Sequence, residues 1–236
     1  MFAESRSRDS LEIGRAATFV MTLGGSVNLS DLSARFYARI VRPRFISERY
    51  LLPHIRRVAR LEGRDVLDFG CGPACNTFMF QPRHYVGIDV DPGRVAYARR
   101  LFPEYRFELC VGTTLPTKAA TVDLVFVCGV LHHLSDAECG EIVREFRRVL
   151  RPGGQVLVLE PVLSTSWPVH TAIMRLFDAG SFLRDECGYM RLLKDHFDVV
   201  LHGTVRTPNL YNTVILTGGL RGLEESRDIS GRVHVG

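Results

Sequence analysis

The sequence predicts an α/β chain whose single doubly wound sheet has seven strands, five of them parallel and the last two an antiparallel pair. Three observations carry that expectation. From residue 64 onward, short apolar runs alternate with stretches of helical periodicity, the pattern of successive βαβ units. The first run, Val66–Phe69, passes directly into the glycine turn Gly70-Cys71-Gly72, and the second ends in an acid, Asp89. The final two runs, 197–205 and 211–217, lie only a few residues apart, so they must pair antiparallel, because a parallel return needs a crossover of about a dozen residues or more.

Each element has a local reason. Residues 1–30 begin polar, turn mildly apolar and break at Gly24-Gly25-Ser26. Residues 30–62 read as two helical pieces parted near Pro43. Asn28, Ser30 and Asp31 offer N-cap chemistry for the first, and Ile46, Tyr50, Leu51, Ile55, Val58 and Leu61 recur at helical spacing in the second. Pro53 should kink that second piece or move its start. Residues 1–62 are therefore expected to form a helical extension or lid ahead of the sheet domain. Within the domain, 74–80 reads as a short helix stopped by Pro82, 85–89 as the second strand, and Pro92 as a helix start with Val95, Ala96 and Leu101 on one face. Residues 105–111 form the third expected strand. The fourth, 122–128, is apolar almost throughout, as suits a central parallel strand. A helix capped by Asp136 runs to Leu150. The turn Arg151-Pro152-Gly153-Gly154 leads to the fifth strand, 155–160, and 164–196 reads as mostly helical with a polar break at 181–188. The domain boundaries are then 63–218, with 162–196 as an acceptor-side segment and 219–236 as a flexible tail.

Composition narrows the class. The 236 residues are 46% hydrophobic and 24% charged, which suits one globular domain able to bury a core. The net charge is only +4, but residues 35–64 hold nine arginines against Glu48 and Glu62. The plain reading of that stretch is a solvated helix face, and the sharper one an anion-binding surface. Six cysteines without a CxxC pair read as reduced, small core residues in a cytoplasmic protein, and no spacing suggests a metal site. No apolar run is long enough to span a bilayer.

The Gly-x-Gly turn followed by an acid at the next strand tip is how such a sheet presents a nucleoside-bearing cofactor at the carboxyl ends of its strands. A nicotinamide dinucleotide turn would want glycine at position 75, where Cys75 stands.

From about Arg64 to Leu216 the chain resembles the class I S-adenosylmethionine-dependent methyltransferases, in particular the small-molecule "type 11" branch. Four stretches carry the resemblance in order: VLDFGCGPA (66–74), VGIDVDP (86–92), VDLVFVCGVLHHL (122–134) and LRPGGQVLVLEP (150–161). It implies a Rossmann-like methyltransferase fold and S-adenosyl-L-methionine as cofactor. It also implies site roles. Asp68 would hold the methionine ammonium, and Phe69, Gly70, Cys71 and Gly72 would form the turn beneath the cofactor. Asp89 would take the ribose diol and Val90 would lie on the adenine. The backbone of Val111 and Gly112 would meet the adenine edge, and Cys128, Gly129 and Val130 would flank the methionine. His133 becomes a candidate general base, unless it and His132 brace the loop. Glu160 would orient a substrate hydroxyl or amine, or cap the helix that follows. Trp167 and His170 would line the acceptor pocket or pack a helix. Two departures stand out: Ala74 replaces the family's third glycine, and Val111 stands where the family often has an acid for the adenine amine.

The expected reaction is direct transfer of a methyl group to a small or lipid-like acceptor. Aromatic and apolar residues in the flanking segments (Phe19, Met21, Phe36, Tyr37; Met174, Phe177, Phe182) suggest a partly apolar one. A nucleic-acid acceptor is the alternative, disfavoured because no Asn/Asp-Pro-Pro-Tyr sequence follows the fourth strand; a degenerate, non-catalytic partner subunit is the other. Oligomeric state is not legible.

Overall fold

The structure, a computed structural model, describes residues 44–162, 182–207 and 212–221. The first expected helical piece, the lid residues Phe19, Met21, Phe36 and Tyr37, the acceptor-side residues Trp167, His170, Met174 and Phe177, the connection between the last two expected strands and the C-terminal tail lie outside the described residues.

Seven strands form one sheet: β1 (Val66–Phe69), β2 (Tyr85–Asp89), β3 (Arg106–Leu109), β4 (Val122–Cys128), β5 (Leu150–Pro161), β6 (Phe197–Arg206) and β7 (Asn212–Leu220). Their spatial order is β3-β2-β1-β4-β5-β7-β6. The first five pair in parallel, and β7 lies antiparallel between β5 and β6. The order reverses at β1, which has β2 on one side and β4 on the other, so the switch-point crevice opens where Phe69 leads into Gly70.

Both faces of the sheet are covered, which is why β4 is apolar almost throughout. Leu67, Val125, Val127, Val156, Val158 and Leu216 point to one core with helices α3 (Asp136–Val149) and α4 (Glu186–Leu193). Their neighbours Val66, Leu124, Phe126, Leu157, Leu159 and Ile215 point to the other, with α1 (Leu52–Val58) and α2 (Pro92–Leu101). Each large apolar side chain removed from water in this way contributes about 1.5–3 kcal/mol before entropy is counted.

Several expected elements shift, each for a local cause. Pro53 moves a helix start: the chain forms a short helical turn at Arg44–Ile46 and a π-turn at Ser47–Leu51, and Leu52 donates to the Ser47 carbonyl five residues back. Proline lacks the N–H that a continuous α-helix would need at that point. No α-helix forms over 74–80. Ala74 takes a left-handed φ of 64°, and only a single 3₁₀ turn, Thr77–Met79, follows. The cap of α3 is Ser135, not Asp136. The Ser135 side chain accepts from the Glu138 N–H and Glu138 reaches back, a reciprocal capping box. In α2 the buried face is Val95 and Ala98, whereas Leu101 is exposed. The expected turn Arg151–Gly154 is a bulge inside a longer β5, marked by a register shift against β4 and by Gly153 at φ 77°.

Candidate cofactor and methyl-transfer site

The turn after β1 is built from three left-handed residues at alternate positions, Gly70 (φ 69°), Gly72 (φ 54°) and Ala74 (φ 64°). The N–H groups of Gly70 and Cys71 both donate to the Ile88 carbonyl, at 2.8 and 2.9 Å, binding the turn to β2. Gly72 has open space where a Cβ would stand, as expected of a surface kept bare for a ligand, and so does Gly112, also left-handed. Gly70 differs from expectation. Its missing side chain makes room for the protein itself, since a Cβ there would lie 2.5 Å from Cγ2 of Val130. Ala74 is buried beneath the turn, where an L-residue in this conformation costs about 1–2 kcal/mol relative to glycine.

Two buried acids stand beside the turn. Asp89 ends β2. Its Oδ2 accepts the Gly72 N–H at 2.8 Å and its Oδ1 the Asp91 N–H at 2.9 Å, so one carboxylate ties the turn to the strand tip. Asp68, on β1, accepts a 2.6 Å hydrogen bond from the Tyr85 hydroxyl, which in turn accepts from Thr77 Oγ1 at 3.1 Å. Burial and the Asp68 charge push the Tyr85 phenol well above its ordinary pKa, so it stays protonated and remains a donor. Tyr85 and Thr77 were not singled out in the sequence. The signal was Gly87: a Cβ there would come within 2.8 Å of the Tyr85 hydroxyl, so the glycine lets the ring run under β2 to Asp68. Phe80, Tyr105 and Phe107 hold that ring in place at centroid distances of 5.5, 5.4 and 5.8 Å.

Beyond the tips of β2 and β3, Val90 and Val111 are 69% and 80% exposed, two large apolar side chains open at the place expected for a purine. Glu108 and Asp91, two acids close to them in sequence, are engaged by Arg106 and by the Gly93 and Arg94 N–H groups.

After β4 the chain turns at Gly129 (φ 70°) into a 3₁₀ turn, Leu131–His133. Glu160 holds this turn by its donors. Its Oε1 accepts from the Val130 and Leu131 N–H groups at 2.8 and 2.9 Å. Its Oε2 accepts from His132 Nδ1 at 2.7 Å and lies 3.4 Å from the His132 main-chain N–H. Arg184 holds the same turn by its acceptors, donating to the carbonyls of Leu131 (2.9 Å) and Leu134 (2.8 Å). Glu160 has no exposed surface. In place of the expected contact with a substrate hydroxyl or amine, both oxygens bond the turn after β4. His133 is exposed, and its ring lies tilted against buried His132 at 4.0 Å between ring centroids.

Cys71, Cys110, Cys128 and Cys139 are buried, and no disulfide joins any cysteine among the described residues. Burial raises the Cys71 thiol well above its usual pKa and pushes Cys139 up to about 11, so both are protonated core groups. Among the described residues no helix is long and apolar enough to cross a membrane.

A doubly wound sheet with a bare glycine turn at its switch point, an acid at the neighbouring strand tip and open apolar side chains beyond it is a domain that binds a nucleoside cofactor. Known proteins narrow this. Residues 66–154 match the family model described as a methyltransferase domain. A probable S-adenosylmethionine-dependent methyltransferase of Mycobacterium tuberculosis is 27% identical over 217 residues, covering 91% of this chain and 76% of that protein. Acetylserotonin O-methyltransferase of Mus musculus is 35% identical over 127 residues, 48% of this chain and 33% of that enzyme. The solved structure of a SAM-dependent methyltransferase from Aquifex aeolicus superposes with a TM-score of 0.59 at 16% identity, covering 81% of this chain and 98% of that one. The domain match, the relatives and the shared fold together support a class I S-adenosylmethionine-dependent methyltransferase. Its residues fit that cofactor: bare Gly72 and Gly112, the buried acids Asp68 and Asp89, and the open faces of Val90 and Val111.

Proposed function

We propose that this methyltransferase transfers the methyl group of S-adenosylmethionine directly to a small or lipid-like acceptor. The observation that carries the reading is the grouping of Asp68, Gly72, Asp89, Val90, Val111 and Gly112 around the carboxyl ends of β1, β2 and β3. The cofactor, when bound, supplies an activated methyl on a sulfonium, so the chain needs no electrophile of its own. What its residues do is bind and orient. Asp89 accepts the ribose hydroxyls with the lone pairs left by the Gly72 and Asp91 N–H groups. Asp68, held by Tyr85, receives the methionine ammonium. Val90 and Val111 cover the purine, and Cys128 to Val130 bound the methionine side. Holding an acceptor in line behind the methyl and excluding water is worth roughly 7–11 kcal/mol of barrier.

A small acceptor is supported by the named activity of the mouse relative, which methylates acetylserotonin, and the partial coverage of that enzyme leaves the acceptor of this chain to experiment. His133 is the exposed titratable group on the turn and serves as the base where the acceptor is a hydroxyl. The segments 1–62 and 162–196 supply the acceptor pocket, and cytoplasmic placement completes the reading. The test is calorimetric titration of the full chain with S-adenosylhomocysteine, followed by a methyl-transfer screen over small phenols, amines and lipid extracts. Micromolar binding with turnover on a small or lipid acceptor is expected. Binding with turnover only on RNA or DNA would overturn the acceptor class, and binding with no turnover anywhere would favour a non-catalytic subunit.

A further inference from the structure

We propose that Glu160 is a positioning residue: it sets the turn after β4 and fixes the proton of His132 on Nδ1, so that cofactor affinity depends on a carboxylate that never reaches the cofactor. The inference rests, for its link to the cofactor, on the reading that the methionine half lies against Cys128–Val130.

The geometry has three parts. First, the N–H groups of Val130, Leu131 and His132 converge on one carboxylate that has no exposed surface. Successive N–H groups aimed at one point form a nest for an anion, and here the chain fills its own nest. Arg184 grips the carbonyls of the same turn, so the turn is held from both of its polar ends. Second, the turn touches the cofactor loop through packing. The Val130 side chain occupies the space that Gly70 leaves by having no Cβ. A shift of Val130 is therefore passed to the first residue of the loop under the cofactor. Third, a carboxylate surrounded by N–H donors is the acceptor in its 2.7 Å contact with His132, so Nδ1 carries the proton and Nε2 is the ring's remaining acceptor when the ring is neutral.

An isosteric change separates this role from simple core filling. In Glu160→Gln the amide oxygen still serves Val130 and Leu131, while the amide N–H₂ falls on His132. Nδ1 must then accept, and the proton moves to Nε2. The experiment uses the full chain labelled with ¹⁵N-histidine, with long-range ¹H–¹⁵N spectra to read the ring tautomer and calorimetry to read S-adenosylhomocysteine affinity. In the wild type, Nδ1 of His132 is protonated. In E160Q the ring shows Nε2–H, and affinity falls about tenfold. Leu157→Ala, a core change on the same strand, lowers the melting temperature and leaves affinity within twofold. Retention of Nδ1–H in E160Q, or affinity within twofold of wild type, overturns the proposal. Should E160Q fail to fold, Val130→Ala removes the contact with Gly70 and keeps the Glu160 hydrogen bonds. A three- to tenfold loss of affinity then supports the proposal, and no loss overturns it. A wild type that binds no S-adenosylhomocysteine would sink the cofactor placement instead, and the ring tautomer would still decide the assignment of the His132 proton.

Discussion

The two ends of the sheet handle their acids in opposite ways. At the amino ends of β1, β4 and β5, Asp65 and Asp123 share the Arg151 guanidinium at 2.8 and 2.9 Å, and Asp65 also meets His84 at 2.7 Å. These side chains are about a third exposed, and the charges answer one another through solvent-screened ion pairs. At the carboxyl ends, Asp68, Asp89 and Glu160 are 3%, 6% and 0% exposed. Asp89 and Glu160 bond backbone N–H groups of the loops, and Asp68 bonds a phenol. An ion-pair cluster ties strand ends together and tolerates loss. A buried carboxylate on backbone donors shapes a loop, and its loss leaves several polar groups unsatisfied at once. The end that holds the proposed cofactor site is the one where two of the three acids, Asp89 and Glu160, shape loops.

That contrast can be broken most directly at Asp89. Asp89→Ala removes both the anchor of Gly72 and the proposed acceptor of the ribose diol. With two charge-assisted hydrogen bonds at roughly 1.5–3 kcal/mol each, S-adenosylhomocysteine affinity should fall at least about a hundredfold by calorimetry. Gly70→Ala comes next. It sets a Cβ against Val130 and forces an L-residue to φ 69°, so urea denaturation should show a loss of about 2–4 kcal/mol, with cofactor binding weakened in the protein that remains folded. Ala74→Gly acts in the opposite direction. It relieves the left-handed alanine and should raise stability by about 1 kcal/mol, less the entropy that glycine adds to the unfolded chain.

The amino end should respond least. Arg151→Met should cost about 0.5 kcal/mol, the size of an exposed ion pair, and leave cofactor affinity unchanged. Its signature is in the acid limb. His84 and Arg151 hold the Asp65 carboxyl below its ordinary pKa, and the Asp65 N–H and Arg151 do the same for Asp123, against the opposing effect of burial. A carboxylate lowered in the folded state stabilises above its unfolded pKa of about 4, and that stabilisation disappears as pH falls through the folded value. The wild type should therefore lose stability more steeply below pH 4 than Arg151→Met does. Parallel acid limbs in the two proteins would show that the cluster contributes nothing.

Much of the site could be read before the fold was seen, because it is local. Asp68, Gly72 and Asp89 belong to short stretches in which strand, turn and acid follow one another, and each stretch needs only its own neighbours to take shape. The strand directions were equally accessible: continuous apolar runs require two covered faces, and two runs close in sequence can pair only antiparallel. The insertion of β7 between β5 and β6 was not, since either late strand could have met β5.

What tertiary structure alone decided are partnerships across long separations. Glu160 is 28 to 30 residues from the donors it serves, and no spacing in the sequence distinguishes a carboxylate open to a crevice from one closed inside a nest. Gly70 announces a tight turn, but only packing shows that the tightness is against Val130. Tyr85 reads as the first residue of a strand, and only the bare Gly87 beside it reveals a route to Asp68. Local chemistry determined which cofactor this protein is built to hold. The burial of each acid, and which protein donors it meets, was settled by the fold, because burial belongs to every element packed around a residue and not to the residue itself.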